Sequence, residues 1–169
     1  MIGSFNFNLQ AKITLLTIVS AACIGSSIIS PCLPILGKYL NIDKNQISIL
    51  MSLYLFGYLS GQFFYSVISH KFGYNMALKT GFTIYTLSSI LQLISININL
   101  VTLLYCTRFL CAFGASSGLI CTFAIINQFF NKEDSKKLIA LAFISLTFFS
   151  YMSMAFGGFI TQLYGFKYI

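Results

Sequence analysis

Five stretches of this chain, residues 13–37, 45–69, 80–107, 109–131 and 138–166, contain no charged side chain. Each meets or exceeds the roughly 20 residues that a helix needs to cross about 30 Å of hydrocarbon. A chain with five such runs has few folds open to it. Inside lipid every backbone N–H and C=O must be paired within the protein, which only helices or closed barrels achieve. A barrel strand alternates apolar and polar positions over about ten residues. These runs are apolar on every face, so the sequence predicts an all-α polytopic membrane protein with about five spans.

Composition agrees. Charged residues make up 8 % of the chain and hydrophobic ones 57 %, against about 25 % charged in soluble domains. The net charge of +7 does not point to nucleic acid, because the lysines are scattered among loops instead of forming one stripe. They read as topology signals. With a cytoplasmic N-terminus, Lys12, His70, Lys71, Lys79, Lys132, Lys136 and Lys137 fall inside and Lys38, Lys44 and Lys167 outside, the bias of the positive-inside rule. Lipid is the expected surrounding.

The expected organisation is a short cytoplasmic segment 1–12, then spans at about 13–36, 46–69, 76–96, 100–129 and 138–163. Pro31 and Pro34 lie near the outer end of the first span, where each removes an N–H and bends the helix. Residues 70–75 form a tight reversal and Asn97-Ile98-Asn99 an outer turn. Residues 131–137 are the most polar stretch and read as a cytoplasmic loop. Residues 164–169 read as an interfacial turn with Tyr and Lys anchors. The apolar run after Lys12 is longer than a signal peptide requires, so the first span is expected to be retained.

Arg108 is the one charge deep in an apolar run, about eight residues from the start of its helix and roughly 12 Å into the bilayer. Facing lipid it would cost at least ~2.5 kcal/mol. It either snorkels outward or faces a helix interface or wet cavity, where it would hydrogen-bond carbonyls and polar groups of its neighbours. The distance favours the second. Gln62 shares a face with Gly57 and Gly61 and is a second candidate for that cavity; Gln92, Asn127 and Gln128 read as helix-pairing groups. Gly57-x-x-x-Gly61 and Gly114-x-x-x-Gly118 put missing side chains on one face and read as helix-packing seams.

No Asp or Glu lies inside a span: Asp43, Glu133 and Asp134 are all in loops. The lone histidine, His70, has no metal-ligand partner, and the five cysteines form no CxxC pair. No catalytic constellation, metal site or cofactor is expected, which excludes an intramembrane enzyme as the first reading.

Four stretches together carry a family resemblance. Ser30-Pro31-Cys32-Leu33-Pro34 resembles a proline-containing first-helix end. Gly61-Gln62-Phe63-Phe64-Tyr65 with Ser69-His70-Lys71-Phe72-Gly73 resembles the loop called motif A, and Arg108-Phe109-Leu110-Cys111-Ala112-Phe113-Gly114-Ala115 resembles motif B. Lys132 to Lys136, Gly157-Gly158 and the last five residues resemble the next loop and fifth-helix end. Over 13–169 the chain resembles the N-terminal part of a major facilitator superfamily transporter of the Bcr/CflA drug:proton antiporter type.

The resemblance implies small-molecule efflux by proton antiport in the bacterial inner membrane. The transport pathway would hold Arg108, Gln62 and Ser27, which stands where many relatives have Asp. It also implies a cytoplasmic gate loop at Ser69, His70, Lys71 and Gly73, and packing at Gly157 and Gly158. Several positions depart from the pattern: His70 replaces the motif A Asp, Tyr74 and Asn75 replace basic residues, and Cys111 replaces a Gln. Ser150 and Met154 stand where prolines are expected. The family has twelve spans in two halves, so a truncated or split chain is expected, acting only with a second chain that supplies further helices. An inactive remnant and a non-transporting protein that binds other helices stay open beside it.

Overall fold

The computed structural model describes residues 9–164, which form helices α1 (Leu9–Ser27), α2 (Leu33–Tyr39), α3 (Lys44–Phe72), α4 (Tyr74–Asn97), α5 (Val101–Phe129) and α6 (Lys132–Tyr164). No strand occurs among the described residues, and the fold is all-α. Four segments are long and apolar enough to cross a membrane: 10–39, Lys44–Phe72, Val101–Phe129 and 132–161. They fit the all-α polytopic membrane fold expected from the sequence. The remaining helix, α4, has the length, but Thr80, Thr83, Thr86, Ser88, Ser89, Gln92 and Ser95 lower its apolarity.

The first span is interrupted. A 3₁₀ turn, Ser30–Cys32, separates α1 from α2. Pro31 lies in that turn and Pro34 in the first turn of α2, positions where a missing N–H costs least. Two side-chain contacts tie the break to α6. Ile24 O accepts from Ser153 Oγ of α6 at 2.9 Å, and Cys32 Sγ lies 2.9 Å from Thr161 Oγ1.

The links between helices are shorter than the sequence suggests. The reversal expected over 70–75 shrinks to Gly73, whose φ of +86° is a conformation open to glycine at little cost. Its N–H still donates to Ser69 O at 3.1 Å, closing the last turn of α3. In the outer turn Asn99 takes φ +52°, which asparagine tolerates better than most residues. Asp43 begins α3, its N–H donating to Gln46 Oε1 at 3.0 Å. The polar stretch 131–137 is not a loop. Lys132 to Lys137 form the opening turns of α6, where Glu133 and Asp134 offset the helix dipole. Ser135 Oγ donates to Asn127 Oδ1 at 3.0 Å across the link. Residues 1–8 and 165–169, including the Tyr-Lys anchors, lie outside the described residues.

Helix α5 is the centre of the bundle. It packs along α3 and α4 and touches α1 and α6, while α1 packs chiefly on α6. The interior of α5 is small and weakly polar: Gly114, Ala115, Ser116, Ser117, Gly118, Cys121 and Thr122 are all buried. Its serines return their hydroxyls to their own helix, Ser116 to Phe113 O at 2.7 Å and Ser117 to Gly114 O at 2.8 Å. The large apolar side chains point outward instead. Phe56, Phe63, Ile144 and Phe159 are each more than 60 % exposed, an arrangement that suits lipid and not water.

Candidate functional site

The site grows from the first turns of α5. Leu104 is buried against Leu33, Leu36 and Leu50, which anchors that end of the helix to α2 and α3. One turn on, Thr107 Oγ1 donates back to Leu104 O at 3.0 Å, and Arg108 follows.

Arg108 is 5 % exposed, so it faces helices and not lipid, and among the described residues it is the only charged side chain that is buried. Its guanidinium carbon lies 5.4 Å from the centre of the Tyr54 ring on α3. The hydrogen bonds that the sequence reading gives Arg108 do not form at Nη1, which is buried and has no hydrogen-bond partner. Asp43, Glu133 and Asp134 are all exposed at helix starts, so no carboxylate of the described chain neutralises it. A desolvated cation–π contact contributes about 2 kcal/mol, against about 2.5–3.5 kcal/mol for placing arginine in a span. The ring offsets most of the cost and leaves the positive potential in place.

Close approach of the backbones makes this burial possible. At Gly57 a Cβ would strike the Phe109 carbonyl, and at Gly61 it would come within 2.6 Å of Phe113 O. Gly114 faces α4, where a Cβ would lie 2.6 Å from Tyr85 N and 2.7 Å from Gly81 O. Gly157 sits on the backbone of Ile28, whereas Gly158 meets only Pro31 Cβ at an ordinary 3.9 Å. Gly118 is buried within α5.

The other expected residues do not gather at Arg108. Gln62 and Ser27 are partly buried and make no hydrogen bond to it. Gln62 lies eight residues, about 12 Å of helix rise, beyond Tyr54 on α3. In the reversal, Ser69 is buried and donates to Ser66 O at 2.8 Å, while His70, Lys71 and Gly73 are exposed. The Tyr74 hydroxyl there donates to Gln128 Oε1, joining α4 to α5 without charge.

A cavity of about 550 Å³ lies between α1 and α2 on one side and α4 on the other. Gly25, Ile28, Cys32 and Leu36 line one wall and Tyr85, Ser89, Gln92 and Leu93 the other, with Cys111 of α5 between them. Sequence reasoning missed Tyr54, Gly81 and this cavity. Tyr54 recurs at a four-residue interval with Tyr58 on the span carrying Gly57 and Gly61, a signal that the sequence does hold.

Residues 15–169 match the Major Facilitator Superfamily. The chain belongs to that superfamily. It is 27 % identical over 154 residues to a protein described as an uncharacterized transporter from Rickettsia bellii (strain RML369-C), a match covering 91 % of this chain and 37 % of that protein. A second, also described as an uncharacterized transporter, from Rickettsia felis (strain ATCC VR-1525 / URRWXCal2), is 26 % identical over 137 residues, covering 81 % of this chain and 33 % of the relative. The chain thus spans about a third of the length of these curated relatives. No solved structure matches it. As a member of the Major Facilitator Superfamily it is a multi-pass membrane protein of a transport family and not of an enzyme family.

Proposed function

We propose that this chain forms the opening helices of a small-molecule transporter that works by efflux in exchange for protons, as the Bcr/CflA-type resemblance of its motifs implies. Arg108 carries the reading. Its charge is held inside the bundle against Tyr54 without a carboxylate partner, and a fixed, unneutralised cation at that depth biases what enters a wet pathway. The proton-binding carboxylate belongs to helices beyond this chain, since its own acids are exposed. The active unit is therefore an assembly in which further helices, on the same or a second chain, complete the pathway. It sits in a bacterial inner membrane with Lys12, Lys71, Lys79 and Lys132 on the cytoplasmic side.

The test is efflux by the assembled transporter. Arg108→Leu abolishes it while leaving expression and membrane insertion unchanged; undiminished efflux contradicts the role. A second reading, a membrane protein that does not transport, is favoured by the reversal, where His70 replaces the motif A acid and Tyr74 makes a neutral hydrogen bond to Gln128. Absence of efflux with Arg108 intact, in membranes where the assembly forms, supports that reading instead.

A further inference from the structure

Helix α3 is divided lengthwise. Gly57 and Gly61 lie against the backbone of α5, whereas Leu55, Phe56, Leu59 and Phe63 are each more than half exposed, on the side that suits lipid. Between these two sides run Tyr54, Tyr58 and Gln62. They recur every four residues, the spacing that keeps side chains on one strip of a helix, and all are partly buried. The rings of Tyr54 and Tyr58 are stacked, with centroids 6.5 Å apart and planes 17° apart.

The strip continues onto other helices. Tyr58 is hydrogen-bonded to Cys23 of α1, whose thiol also meets Ser150 of α6. At its other end the Tyr54 ring lies over the guanidinium of Arg108 on α5. Polar side chains of four helices thus follow one another across the bundle, and their chemistry is one-sided. Phenols, a thiol, a hydroxyl and an amide surround one fixed cation, with no carboxylate, since Asp43, Glu133 and Asp134 are exposed at helix starts.

That imbalance selects a ligand. A guanidinium carries five N–H donors in a fork that matches a carboxylate, and here Nη1 is buried with no hydrogen-bond partner. A ring face offsets the charge without occupying the fork. A ligand cation would meet like charge and nothing to pair with, and a neutral amide would pair the fork only weakly. A carboxylate makes charge-assisted hydrogen bonds about twice as strong as neutral ones, and an aromatic body attached to it stacks along Tyr54 and Tyr58. Because Arg108 is 5 % exposed, the partly buried Tyr54 ring has to turn aside to admit the carboxylate.

We infer that this strip binds the substrate and that the substrate is an aromatic organic acid, its carboxylate on the Arg108 fork and its ring beside Tyr54 and Tyr58. The inference deepens the transport reading above and rests on it.

Phenylbutyrate, its amide and phenylbutylamine share one skeleton and differ in charge, which makes them the probes. The purified chain, in nanodiscs of phosphatidylcholine, is dialysed to equilibrium against radiolabelled phenylbutyrate, with empty nanodiscs giving the partition into lipid. Saturable binding is expected, undisturbed by an excess of the amide or the amine. Arg108→Leu weakens it about tenfold or more. Arg108→Lys, which keeps the charge and loses the fork, falls between, and Tyr58→Leu weakens it severalfold with the arginine intact.

Amine bound as tightly as acid overturns the inference, as does equal binding of the acid by the parent and Arg108→Leu. Arg108-dependent binding of the acid, with no efflux from membranes where the assembly forms, would sink the transport reading alone. Arg108-dependent efflux of the amine, with the acid unbound, would sink the substrate class alone.

Discussion

The guanidinium of Arg108 is held by a ring face, and that choice of partner makes its neighbours testable one by one. Tyr54 presents its π-face to the guanidinium, so Tyr54→Leu lowers transport in the assembled protein, read as initial efflux rate. Arg108→Lys is not conservative here, because a compact ammonium stacks on a ring less well than a planar guanidinium. In stability the sign reverses. Arg108→Leu removes a buried Nη1 that has no partner, and replacing a poorly compensated buried charge by an apolar residue is often neutral or stabilising. The melting temperature in detergent holds or rises even as efflux is lost. A fall in melting temperature would mean that the arginine is structural cement.

Helix packing in this bundle is set by where the side chains are missing. Gly61 and Gly158 make a matched pair of tests, since a Cβ at the first meets backbone and at the second only an ordinary contact. Gly61→Ala therefore costs on the order of 1–3 kcal/mol, seen as a lower melting temperature, while Gly158→Ala is close to neutral. The same level shows what the sequence can and cannot announce. The long helices are legible because lipid demands runs free of charge, and the glycine seam on α3 because its four-residue spacing repeats. The opening turns of α6 are not, since Lys132-Glu133-Asp134-Ser135-Lys136-Lys137 is polar and local polarity cannot tell a loop from a helix end projecting beyond lipid. The Tyr54 repeat with Tyr58 is visible in the sequence, but its pairing with Arg108 is not, because the ring and the cation lie on different helices and only the fold states which face looks at which.

Across the whole molecule, small and hydroxylated side chains lie between the helices, while many phenylalanines, leucines and isoleucines lie outside. Buried hydrophobic clusters are small and separate, one around Leu33 and Leu104, one around Leu15 and Ile126, one around Tyr65 and Ala77. Cohesion comes from backbone approach instead of from a single oily core. Orientation rests on lysines. Lys136→Cys and Lys38→Cys, in a cysteine-free chain, are expected to react with a membrane-impermeant reagent from opposite sides, Lys38→Cys from the outside of intact cells.

The central claim is that these helices are threaded through lipid with Arg108 sheltered among them, and alkaline carbonate extraction of membranes containing the chain addresses it most directly. The whole of the protein is expected to stay in the membrane pellet, for Arg108→Leu as for the parent. Release of the chain into the soluble fraction, as a protein bound only at the surface would behave, would contradict it.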